Sequence, residues 1–124
     1  MISDCPLVAL VATTNAHTAR EFYGQILGLR LTHEDSFGLV FDAHGSMLRI
    51  SVVGQLAPAP YTILGWQVED IASIVRQLGE KGVTFERYPG MPQDDPGIWT
   101  TPDGSRVAWF KDPEGNTLSL TAGR

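Results

Sequence analysis

The side chains able to do chemistry in this sequence are few, and their spacing says more than their number. The three histidines lie far apart. His17 falls in the first turn of a predicted helix, His44 in a turn, and His33 on a predicted strand beside Glu34 and Asp35. No two share the close helical or strand spacing that gathers metal ligands. Consecutive strand residues point to opposite faces, so His33-Glu34-Asp35 does not converge on one point. Cys5 is the only cysteine, which excludes an intrachain disulfide and a cysteine metal cluster. Asp112 and Glu114 sit in Asp112-Pro113-Glu114-Gly115-Asn116 and read as turn chemistry rather than an acid/base pair. Pro113 presets φ, Gly115 supplies a positive φ, and Asp112 and Asn116 can bond local backbone. Arg49 is the sharpest single residue. Its planar, permanently charged fork suits a carboxylate or phosphate oxygen pair. The plainer alternative is a rim arginine paired with Asp42 or Glu34. Trp99 and Trp109 offer flat apolar surface: Trp99 as a lid or stacking residue, a dimer contact, or plain surface.

These residues need elements to position them. Leu7 to Ala12 reads as a buried strand. Asn15 is a natural N-cap, followed by a helix with Ala19, Phe22, Tyr23, Ile26 and Leu27 at helical spacing and Gly28 as its stop. Strands are expected over 29–35, 39–43 and 47–53, separated by turns at Ser36-Phe37-Gly38 and His44-Gly45-Ser46. Gly54 to Pro60 reads as a linker. The order then repeats: a strand over 63–68, a helix capped by Asp70 and ended by Gly82, a strand over 83–88, and a final hairpin around Asp112 to Asn116. The offset from Asn15 to Asp70 is about 55 residues, a period that marks a duplicated unit. Between Pro89 and Gly104 runs a loop rich in proline, of the length that is often functional or mobile.

Composition sets the class. A chain of 124 residues with 43% hydrophobic and 19% charged residues is globular. No apolar run is long enough for a bilayer, and the N-terminus has no signal-peptide pattern, so the expectation is a cytoplasmic protein with no membrane partner. A formal charge of −5 disfavours nucleic acid, which wants a basic patch.

Two stretches carry a resemblance. Trp109-Phe110-Lys111-Asp112-Pro113-Glu114-Gly115-Asn116, followed by Leu118-Ser119-Leu120, resembles the final hairpin of the vicinal-oxygen-chelate superfamily. That group includes glyoxalase I, bleomycin-resistance proteins and extradiol dioxygenases. Ala19-Arg20-Glu21-Phe22-Tyr23 running into Ile26-Leu27-Gly28-Leu29 resembles the family's first helix and the turn after it. The resemblance spans almost the whole chain. It implies an α+β fold: a single domain over 1–124 made of two tandem βαβββ modules, 6–54 and 61–122, whose curved mixed sheets enclose a cavity. It also implies a homodimer.

The metal-using members bind a divalent ion through inward side chains of both modules. The positions corresponding to those ligands fall on Val8, Ile63 and Ser119, and for the fourth on Arg49. Valine and isoleucine carry no lone pair, arginine no acceptor, and serine alone is a poor ligand. The expectation is therefore no metal and no cofactor. Strand parity extends the cavity lining implied by the resemblance. Leu10 and Ala12 accompany Val8; Gly65 and Gln67 accompany Ile63; Ser51 accompanies Arg49; Thr117 and Thr121 accompany Ser119. Phe41 is a further wall candidate. Of Trp109 and Phe110 one faces the cavity, and parity does not say which. Leu7, Ala9 and Val11 would face the first helix, and Trp66 the second, as a core residue.

Three functions compete. The first is a protein that binds a small organic molecule in a mostly apolar cavity without a metal, as bleomycin-resistance proteins do. The second is a divergent metal-dependent lyase, isomerase or dioxygenase. The third is a metal-independent enzyme using Arg49 and Ser119 on an oxyanion, for which no tuned general base is visible. Whether the protein is an enzyme stays open at this stage.

Overall fold

The structure, a computed structural model, describes residues 1–123. The chain divides into two compact units, Met1–Ala57 and from Pro58 onward. The first begins with a single 3₁₀ turn at Ile2–Asp4. It continues through β1 (Val8–Thr13), a helix α1 (Ala16–Arg20), β2 (Arg30–Asp35), β3 (Gly38–Ala43) and β4 (Ser46–Val52). The second contains β5 (Thr62–Gln67), α2 (Ile71–Glu80), β6 (Trp99–Thr100), β7 (Arg106–Lys111) and β8 (Thr117–Ala122). Each unit folds one four-stranded mixed sheet, ordered β1-β4-β3-β2 and β5-β8-β7-β6. In each, the first strand runs parallel to the last, β1 beside β4 and β5 beside β8, and the remaining pairs are antiparallel. The fold is α+β, built from two βαβββ-like modules.

Capping fixes where the helices start. The Asn15 carboxamide oxygen accepts the His17 and Thr18 amides at 3.1 and 3.2 Å. The Asp70 carboxylate accepts the Ser73 amide at 3.1 Å. Both satisfy amides that a helix leaves without intrahelical partners. After Arg20 the first helix widens into a π-helix over Glu21–Ile26. The wider turn still presents Phe22 and Tyr23 inward, where their rings meet edge to face at 5.1 Å. Tyr23 also packs on Phe41 at 6.2 Å. Leu39, Leu48 and Ile50 complete a core with essentially no exposed surface. In the second module Ile71, Val75 and Leu78 of α2 bury their stripe as Ala108, Phe110, Leu118 and Leu120 do theirs. Phe85 packs on Phe110 at 5.5 Å.

Gly79 lies inside α2, and a Cβ there meets nothing within 4 Å. Gly79→Ala is expected to stabilise the protein by about 0.5–1 kcal/mol, since alanine loses less backbone entropy in a helix. Urea denaturation checks it.

Four expectations need correction. Leu7 precedes β1 and is 83% exposed rather than facing the helix, and only one face of β1 is buried. Trp66 lies on the helix side of its sheet but is only half-buried. Residues 83–88 form no strand: Phe85 makes one isolated bridge to Phe110, and the Glu86 amide bonds the Trp109 carbonyl at 2.7 Å. The outer edge of β7 is instead shared, Phe85 and Glu86 taking one end and β6 the other. The proline-rich loop accordingly contains a strand, Trp99–Thr100.

Candidate functional site

Each sheet has a helix side and an open side, and register decides which residues reach the open one. In the first module Val8, Leu10 and Ala12 of β1 pair with Met47, Arg49 and Ser51 of β4. Val40 and Asp42 of β3 continue two of these rows. Val8, Leu10, Arg49 and Ser51 therefore share one face. Phe41 does not. It pairs with Leu48, has no exposed surface, and packs on Tyr23, so it is a core residue and not a wall of the open face.

Arg49 stands between Leu10 and Val40 in the strand order and is exposed. The acids weighed as its partners are engaged elsewhere. Glu34 forms a two-bond ion pair with Arg20, and Asp42 lies 3.8 Å from Arg30. Among the described residues Arg49 forms no ion pair. Its guanidinium thus stands without a carboxylate partner on a face where Val8, Leu10 and Val40 alternate with Ser51, Asp42, His33 and Asp35. His33 and Asp35 share this side and meet at 3.0 Å. The Phe37 amide, then the His33 side chain, hold the Asp35 carboxyl below the usual carboxylate range.

In the second module register resolves the ambiguity at the final hairpin. Trp109 pairs with Ser119 and Phe110 with Leu118, so Trp109 takes the open side and Phe110 the core. One row across the open side runs Gly65, Ser119, Trp109, and the next Gln67, Thr121, Val107, Trp99. A Cβ on residue 65 would come within 2.5 Å of the Ser119 hydroxyl, so glycine leaves that hydroxyl its room. Ile63 sits at a β-bulge between Thr62 and Leu64 and is half-buried.

The indoles of Trp99 and Trp109 stack with centroids 6.1 Å apart and planes 26° apart. Tyr88 meets Trp109 edge-on at 5.4 Å. Trp99 is therefore a strand residue held against a second indole, not part of a free-swinging loop. Burial, then the nearby Glu86 carboxylate, raise the Tyr88 phenol above its ordinary pKa. Both disfavour phenolate, so Tyr88 remains a neutral donor through the physiological range. In a titration of tyrosine absorbance near 295 nm, the difference between the parent and Tyr88→Phe is expected to be one phenol that ionises later than a free tyrosine.

The segment that runs from Tyr88 to Trp99 is held by three side chains that periodicity could not reveal. Arg87 donates to the carbonyls of Gln93, Asp94 and Asp95 at 2.8–3.1 Å. The Gln93 amide donates to the carbonyls of Glu86 and Gly97 at 2.8 Å, and its oxygen accepts the Tyr88 amide at 2.8 Å. The Asp94 carboxylate accepts the Gly97 and Ile98 amides. Gln93→Ala breaks three bonds and is expected to cost about 2–3 kcal/mol. It should also weaken the near-ultraviolet circular-dichroism signal of the stacked indoles while leaving the far-ultraviolet spectrum nearly intact.

Among the described residues no three His, Cys, Asp or Glu side chains gather as a metal would require, and no helix is long and apolar enough to cross a membrane. A family profile described as "Glyoxalase/Bleomycin resistance protein/Dioxygenase superfamily" matches residues 7–120. No curated protein matches the chain significantly. Among solved structures it is similar to a putative glyoxalase family protein from Bacillus anthracis, with TM-score 0.76, 19% identity, and coverage of 97% of this chain and 95% of that one. A superfamily member from Sphaerobacter thermophilus DSM 20745 gives TM-score 0.76 at 22% identity, covering 96% and 97%. The genomically encoded fosfomycin resistance protein FosX from Listeria monocytogenes gives 0.77 at 15%, covering 97% and 93%.

Proposed function

Because this chain belongs to the glyoxalase/bleomycin resistance protein/dioxygenase superfamily, we propose that it binds a small organic molecule on the open sides of its sheets, without a metal ion. The observation that carries this reading is the aromatic cluster of Tyr88, Trp99 and Trp109 on the side of the second sheet opposite its core. Such a surface of apolar rings beside a few hydrogen-bonding groups is what small-molecule sites are made of. On the first module's open side Arg49, without an ion-pair partner, supplies a fork for a carboxylate or phosphate oxygen pair.

The divalent ion used by other members does not fit the donors at the corresponding positions. Val8 and Ile63 have no lone pairs, Arg49 is a cation, and Ser119 offers one neutral hydroxyl. Binding therefore rests on stacking, hydrogen bonds and the Arg49 charge. A homodimer belongs to the same reading, and sedimentation gives its mass.

Tryptophan emission and melting temperature, followed across a small-ligand library, test the main reading. A ligand that moves both supports it, and a library that moves neither overturns it. About one equivalent of Ni, Zn, Fe or Mn surviving dialysis would overturn the metal-free part. Arg49→Ala that binds a carboxylate ligand unchanged would remove the role given to Arg49.

A further inference from the structure

The second module's open side divides into two chemically different halves. On β7 and β6 stand Trp109, Val107 and Trp99, with Tyr88 against them. On β8 and β5 stand Ser119, Thr121 and Gln67, the first two half-buried and the last exposed. Their side chains form no hydrogen bond among the described residues, so two hydroxyls and an amide are left to serve a ligand. The aromatic half presents ring faces, which carry negative charge density, and the indole N–H groups.

The charges nearest the rings are partnered: Arg87 by the loop carbonyls and Lys111 by Glu86. Lys111 also projects to the open side by strand alternation, and it lies 3.8 Å from Glu86, the acid nearest Tyr88. Arg106 projects to the helix side, paired with Ala122. A carboxylate or phosphate would find ring faces and a carboxylate here, with the one nearby ammonium already engaged. A cation or an uncharged heterocycle would find favourable ring quadrupoles.

We propose that this face takes a planar heteroaromatic ligand without negative charge, laid against the Trp99–Trp109 pair with its polar edge toward Ser119, Thr121 and Gln67. The proposal rests on the small-molecule reading and narrows it to one ligand class at one face. Anionic groups belong instead to the Arg49 side of the first module.

Isothermal titration with two probes tests it: 9-aminoacridine, a planar heteroaromatic cation, and 1-anilinonaphthalene-8-sulfonate, an aromatic anion. The acridine is expected to saturate a site and quench tryptophan emission, and to bind at least about tenfold more tightly than the sulfonate. Loss of one stacking ring weakens such complexes by about tenfold or more. Trp109→Ala should show that loss and Trp109→Phe should recover most of it. Ser119→Ala should weaken the acridine by about threefold or more, the size of one hydrogen bond. Sulfonate binding as tight as the acridine's or tighter that persists in an Arg49→Ala variant, or an acridine affinity indifferent to both Trp109→Ala and Ser119→Ala, overturns the proposal. If the acridine does not bind while a library ligand still shifts the melting temperature, the ligand class falls and the small-molecule reading stands. If nothing binds, both fall.

Discussion

Gly38→Ala is expected to destabilise the first module by more than about 3 kcal/mol, with low soluble yield and a melting temperature more than about 10 °C lower. Gly38 opens β3, in register with Ser51. A Cβ there would lie 2.0 Å from the Ile50 carbonyl oxygen and 3.0 Å from its carbon. The obstacle is backbone of the neighbouring strand, so no rotamer change relieves it. The strands must separate, and separation breaks the β3–β4 ladder beneath Leu39, Phe41, Leu48 and Ile50. Gly54→Ala is the control: a Cβ there meets nothing within 4 Å. A Gly38→Ala protein melting within a few degrees of the parent would show that the strands accommodate the methyl group.

Asp112→Ala is expected to cost the second module about 3 kcal/mol or more. Asp112 and Asn116 are 6% and 3% exposed. One Asp112 carboxylate oxygen accepts the Glu114 and Asn116 amides at 3.0 and 2.9 Å, and the other accepts the Asn116 side-chain amide at 2.8 Å. Hydrogen bonds to a charged acceptor are stronger than neutral ones, and a buried donor left without a partner adds its desolvation cost. The turn sets the register that sends Trp109 to the open side and Phe110 to the core. Asp112→Ala should therefore also change indole fluorescence, whereas Asp112→Asn, which keeps an acceptor oxygen, should lose less. Urea denaturation followed by far-ultraviolet circular dichroism and by tryptophan emission measures both effects.

Much of this architecture is written locally. Asn15 and Asp70 announce helix starts because a cap acts within three residues. The Asp112–Asn116 turn announces itself because its bonds span four. Open-side membership of Val8, Leu10, Arg49 and Ser51 follows from a period of two. Phe41 escaped because Leu39, Val40 and Phe41 are all apolar and all buried, so no alternation marks a face. Register with Leu48 decides it, and register is a tertiary property. The strand expected over 83–88 failed for a related reason. Its residues suit a strand, yet Arg87 and Gln93 bind carbonyls and an amide four to eight residues away, and such bonds leave no periodic trace. Tyr88 was missed with them, since only that loop brings it to Trp109.

The two ends of the first sheet differ in a way that bears on handling the protein. β2 carries Arg30, His33, Glu34 and Asp35 along a strand exposed throughout, a charged margin that discourages pairing with another chain. β1, at the opposite end, reads Val-Ala-Leu-Val-Ala-Thr with no charge at all. When the first module partly unfolds, residues 8–13 form an uncharged edge segment suited to seed fibrillar aggregates. A lysine introduced at exposed Leu10 should lengthen shelf life in concentrated stocks more than any charge added to β2.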